Sequence, residues 1–214
     1  MSLIAGHRSG QEERPPSERL LAAAEHLFGE RSYQRTTVAD ICALAGTATG
    51  SFYACFESKS DILAAIIRQT GTDIRAAQAA ALRDAPDNRR ARERASFRAY
   101  FDLVSRRPWI CRIVREAEFI IPALFREYYE SLARGYSRDV RIAQRAGEVD
   151  ARYDPELIAC VYAGLAHVIG MRWAEWTEGD QVPDDIVEDL MAILDRALPP
   201  AAGHEQSTGP RPKE

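Results

Sequence analysis

Four cysteines, four histidines and an arginine-rich middle are what this 214-residue chain offers for chemistry. Cys42, Cys55, Cys111 and Cys160 are scattered, with no Cys-x-x-Cys pair and no histidine at metal spacing, so they read as reduced, mostly buried thiols. His167, within GLAHVIGM, has no histidine or carboxylate three or four positions on and reads as a hydrogen-bonded core residue rather than a metal ligand. Glu116 and Glu118 in REAEF are a carboxylate pair suited to acid–base work. A spacing of two on a helix points them apart, which favours a polar face. No nucleophile motif or phosphate-cradling glycine loop is present. No catalytic residue, metal site or cofactor is expected, and a helical enzyme is the weak alternative. The segment that stands out is TTVADICALAGTATGSFYACF, residues 36 to 56.

The elements around it read as helices, because apolar residues recur at helical spacing and alternation is almost absent. Ser17 caps a first helix carrying Leu20, Leu21, Ala24, Leu27 and Phe28 on one face. Thr37 caps a short second helix with Asp40 three residues on, and Gly46 ends it. A third runs from about Ala48 to Cys55, and Ser58 with Asp61 opens a fourth. Two short helices across a glycine turn, packed on a preceding helix, form a helix-turn-helix. A major groove about 12 Å wide admits one helix, so a short helix held proud of the bundle presents Thr47, Ala48, Thr49, Gly50, Ser51 and Tyr53 to DNA while Phe52 and Phe56 pack inward. Further helices follow to about residue 198, giving an all-α chain of about nine.

With these residues in place, the segment resembles the DNA-binding signature of the TetR family of bacterial one-component transcriptional regulators, over roughly residues 15 to 65. The resemblance implies a flexible arm at 1–14, a helix-turn-helix domain at 15–62, an effector-binding and dimerisation domain at 63–198, and a disordered tail at 199–214. It also implies that Tyr53, Lys59 and the helix start at Thr37 contact phosphates. Thr47 stands where the family usually has valine, Ala48 where it has serine, and Thr49 where a polar or basic residue is common. The cap at Ala48 is therefore missing, with Thr47 or Thr49 left to replace it. No arginine in this helix reads guanine.

For the second domain, Phe97, Phe101, Trp109, Phe119, Phe125, Tyr128, Tyr129, Tyr162 and His167 are the candidate effector-pocket residues, a minority of them expected to touch ligand and the rest to be core. The last two helices, about 154–177 and 183–197, are too apolar for one chain to cover and predict a homodimer, with Gly164, Ala166 and Gly170 allowing close approach and Leu190 in the interface. The net charge of −4 conceals a gradient of −2 over residues 1–67, +6 over 68–149 and −8 over 150–214. The positive middle suits an anionic effector such as an acyl thioester or an organic acid, or is a solvated basic surface. No uninterrupted apolar run approaches the roughly 20 residues of a membrane span. The start does not read as a signal peptide, and a cytoplasmic protein with no membrane partner is expected. The expected function is a ligand-responsive, sequence-specific DNA-binding regulator, a repressor released from a palindromic operator by a small apolar or amphipathic effector. A DNA-binding regulator without an effector is the alternative.

Overall fold

A computed structural model describes residues 14–177 and 181–201; the expected arm and tail lie almost entirely outside them. The described residues form nine α-helices and no strand. The first, α1 (Pro16–Arg31), starts at the Pro15-Pro16 pair rather than on a Ser17 cap: Pro16 takes the first helical position, where its missing N–H costs nothing. Helix α2 (Val38–Ala45) has the capping box read from sequence, with the Thr37 hydroxyl accepting from the Asp40 amide and the Asp40 carboxylate accepting from the Thr37 amide. Gly46 closes it at φ 62°, a left-handed conformation that costs a residue with a Cβ. Helix α3 (Thr49–Cys55) begins at Ala48 with no side-chain cap. Neither threonine substitutes: the buried Thr47 hydroxyl has no partner.

Helix α4 (Lys59–Asp84), capped by Ser58, runs unbroken through the expected domain boundary at 62/63 and joins the head to the rest of the chain. It is followed by α5 (Arg89–Arg106), α6 (Ile110–Ile120), α7 (Pro122–Arg145), α8 (Pro155–Gly170) and α9 (Asp184–Ala197). The wider turns of a π segment, Met171–Glu175, extend α8. Helix α1 packs on α2, α3, α4 and α6, while α4, α5, α7 and α8 enclose the second domain's core. Leu20, Phe28, Ile41, Phe52, Ile62 and Ile66 belong to the same apolar core as Phe97, Phe101, Ile113 and Met191.

The charge gradient has a structural cause. Arg89, Arg90, Arg94 and Arg98 on α5 pair with Asp195, Glu188 and Asp184 on or at the start of α9. These four arginines of the positive middle are thus matched by the acidic end of the same chain and are not a free anion-binding surface.

The outer face of α8 has no cover. Leu157, Cys160, Val161, Gly164 and Val168 are exposed at helical spacing, and a Cβ on Gly164 would meet nothing within 4 Å. Ile193 of α9 is 59% exposed. The other residues named for close approach turn inward: Ala166 is buried, and a Cβ on Gly170 would lie 3.2 Å from Tyr100 Cε1. Leu190 is also in the chain's own core, since α9 uses that face against α5. Helix α8 and its π extension, Pro155–Glu175, are long and apolar enough by length and composition to span a membrane. The inner side is packed against α7 and α5.

Candidate DNA interface and effector cavities

Helix α3 is about 10 Å long at 1.5 Å per residue. Phe52 is fully buried and Phe56 nearly so, which fixes the roll of the helix and turns its other side to solvent. Ala48, Thr49, Gly50 and Tyr53 are exposed and Ser51 and Thr47 half-buried. The Tyr53 ring is 59% exposed and packs edge-on against Phe52 at 5.3 Å between centroids. A Cβ on Gly50 would meet nothing within 4 Å, so the backbone there is open to close approach.

Thr37 and Lys59 are engaged within the chain. The Thr37 hydroxyl donates to Asp40 at 2.7 Å, a bond that with the Thr37 amide holds the Asp40 carboxyl below its ordinary range. A phosphate at this helix start would meet the Val38 and Ala39 amides, which the α-helical pattern leaves free. The Lys59 ammonium donates to the carbonyls of Tyr33 and Thr36, both at 2.8 Å, and lies 4.1 Å from the Tyr33 ring centre. Burial lowers its pKa from the ordinary 10.5. The lysine pins the turn leading into α2 with two of its three donors, a role that spacing alone does not reveal.

The head is tied to the second domain at two places. Arg107, after α5, donates to both oxygens of Glu25 at 2.8 and 2.7 Å and to Asp73 at 2.8 Å. The Trp109 indole adds a bond to Glu25 at 3.0 Å. Gly29 makes that approach possible, since a Cβ there would sit 2.6 Å from Trp109 Cβ. Just past the C-terminal end of α1, the Glu116 carboxylate of α6 accepts from the Tyr33 amide at 2.7 Å.

The nine candidate pocket residues do not converge. Phe97 and Tyr162 line a cavity of about 160 Å³ with Tyr136, Val140, Ser96 and Glu93. Burial raises the Glu93 carboxyl above its ordinary value, although Arg89 and the Tyr162 hydroxyl favour its anion. A second hollow of about 360 Å³ shares Leu82, Ser96, Tyr136 and Asp139 with it and opens past Arg75, Arg134 and Arg138. Phe119, Phe125 and Tyr129 line a separate open groove, Phe119 being 85% exposed. Tyr128 faces a cleft against α4. The Tyr129 hydroxyl and His167 Nδ1 are 3.3 Å apart, which makes the histidine a partnered, half-buried residue. Phe101 is sealed in the core, and Trp109 belongs to the contact with the head. Among the described residues no cluster of His, Cys, Asp and Glu is placed to hold a metal ion.

Residues 20–66 match the family described as bacterial regulatory proteins, tetR family. Helices α2 and α3 both lie within that match. The HTH-type transcriptional repressor BepR of Brucella suis biovar 1 is 26% identical over 199 residues, 87% of this chain and 92% of that protein. Solved structures share the fold at low identity. The fatty acid degradation regulator FadR of Bacillus halodurans has a TM-score of 0.76 and 16% identity over 85% of this chain and 95% of its own. FadR of Bacillus subtilis, in complex with stearoyl-CoA, has a TM-score of 0.74 and 15% identity over 83% and 96%. The protein is accordingly a transcriptional regulator with an N-terminal helix-turn-helix. The contacts its sequence did not announce are those of Glu25, Arg107 and Glu116; the small Gly29, inside an otherwise good helix, was the one local signal for them.

Proposed function

We propose that the protein is a dimeric repressor whose two α3 helices enter successive major grooves of a palindromic operator, and that an amphipathic small molecule in the second domain releases it. The observation that carries the reading is α3 itself, with Phe52 and Phe56 locked inward and the Thr49, Gly50 and Tyr53 side open. Tyr53 holds phosphate, Thr49 and Ser51 approach bases, and the Val38 and Ala39 amides meet the backbone of the duplex. The uncovered α8 stripe supplies the dimer that sets the spacing between heads.

The effector would occupy the cavity beneath Phe97, Tyr136 and Tyr162, reached past Arg75, Arg134 and Arg138. That entry suits an apolar body with an anionic head, and the acyl thioester bound by the similarly folded Bacillus subtilis FadR is of that chemistry. The test is an anisotropy titration in which the protein on its selected operator is challenged with acyl thioesters of graded length, the free acids and neutral esters. Release by the anionic amphiphiles, lost in a Tyr136→Arg variant that still binds operator, supports the reading. Operator binding unaffected by every compound favours a regulator without an effector.

A further inference from the structure

The turn between α1 and α2 is under strain and is held from outside. Ser32 has φ 82° and ψ 158°, a region that residues with a Cβ rarely adopt and that costs roughly 1–3 kcal/mol. The turn that follows is held at Tyr33 and at Thr36. The Thr36 hydroxyl donates back to the carbonyls of Ser32 at 2.9 Å and Leu27 at 3.3 Å. The Lys59 ammonium takes the carbonyls of Tyr33 and Thr36. The remaining clamp comes from the second domain, where Glu116 Oε2 accepts the Tyr33 amide at 2.7 Å. Thr37, where the turn ends, starts α2 and so sets its N-terminus.

We propose that Glu116 is a positioning residue for DNA binding: it acts through the Tyr33 peptide to hold the Ser32–Thr36 turn, and with it Lys59 and the start of α2, in the DNA-competent arrangement. The backbone of Tyr33 joins the two domains, since its amide donates to Glu116 and its carbonyl accepts from Lys59. The residue before Glu116 gives the same helix a grip on the second domain, because Arg115 donates to both oxygens of Glu175 in the π segment, at 2.8 and 2.7 Å. A shift of α6 along its axis therefore draws the carboxylate away from Tyr33. Without it the strained turn relaxes toward an ordinary φ at Ser32, carrying the start of α2 with it. The inference rests on the helix-turn-helix as DNA reader and is independent of which effector binds.

The sign of the effect separates positioning from simple electrostatics. Removing a carboxylate from a DNA-binding protein lowers its negative charge and by charge alone tightens phosphate-driven binding. Positioning predicts the reverse. The experiment measures affinity of the full-length protein for a random-sequence 30-base-pair duplex against salt, with melting temperature and amide exchange at Tyr33 in parallel. Glu116→Ala is expected to weaken binding by at least about five-fold, the lower end of ordinary intersite coupling, and to speed Tyr33 exchange. Glu116→Asp, with the same charge and a shorter reach, should behave like the alanine variant, whereas Glu116→Gln, which keeps an acceptor, should restore affinity. Lys59→Ala combined with Glu116→Ala should bind no more weakly than Lys59→Ala alone, because both act on one turn. Binding by Glu116→Ala equal to or tighter than the wild type, wild-type affinity in Glu116→Asp, or additive losses in the double variant would each overturn the proposal. If the read helix does not bind duplex at all in the wild type, the DNA-reading assignment fails rather than this one.

Discussion

Replacing Lys59 by alanine removes more than a surface charge. Two charge-assisted hydrogen bonds to backbone carbonyls are lost, each worth about 1.5–3 kcal/mol when fully formed, together with an ammonium–ring contact worth roughly 0.5–1 kcal/mol. The side chain is half-buried, so water replaces part of both bonds in the variant, and a net loss of about 2–3 kcal/mol is the reasonable expectation. For a chain of this length each kcal/mol moves the melting temperature by about 2–4 °C, so Lys59→Ala should melt roughly 5–10 °C lower. Thermal unfolding followed by circular dichroism measures that shift. Binding to random duplex across a salt series measures the other half, because a lysine that only touched phosphate would leave Tm unchanged and make the salt slope shallower by about one unit per head. A melting temperature within about 1 °C of wild type, with the slope reduced, would refute the pinning role argued from the Tyr33 and Thr36 carbonyls.

Charge on the uncovered face should break the dimer without unfolding the subunit: Gly164→Arg or Ile193→Lys is expected to give folded monomers in sedimentation at micromolar concentration, while Leu190→Lys, placing charge in the core, should lose secondary structure instead. Thiol labelling reads the same interface. Cys55 should react quickly in the native protein, Cys160 only once the dimer is dissociated, and Cys111, whose thiol burial pushes to about 12, only on unfolding. His167 should make stability fall in mild acid. Burial and then Arg115 hold its pKa below the ordinary 6.5, so the unfolded chain binds a proton as pH drops below that value while the folded one does not. The loss grows until the folded histidine also titrates, and His167→Gln should flatten the pH dependence of urea midpoints between pH 7 and 5.

The parts of this molecule legible in the sequence are those set by neighbours along the chain. The Thr37–Asp40 box, the left-handed Gly46, the Ser58 cap and the inward turn of Phe52 and Phe56 follow from spacings of three or four residues, and the structure has each of them. What was not legible depends on which helices meet. Four arginines of α5 look like a free basic surface until α9 is laid across them with Asp184, Glu188 and Asp195. Lys59 gives no sign in the sequence of the turn 23 to 26 residues earlier in the chain that places two carbonyls on it. Aromatic residues at helical spacing carry no sign of whether they meet a cavity, as with Phe97, or the packed interior, as with Phe101.

The account rests on α3 reading DNA as one half of a symmetric pair. Selection of bound fragments from a random duplex library, with purified protein and repeated rounds, tests that most directly. The expected product is a pseudo-palindrome whose half-site centres lie about 10 base pairs apart or at a multiple of that helical repeat, with Thr49→Ala changing the preferred base at one or two symmetric positions and Tyr53→Ala lowering affinity for all sequences alike. Enrichment of no sequence over the starting library, or of a site indifferent to substitution at Thr49, Ser51 and Tyr53, would contradict it.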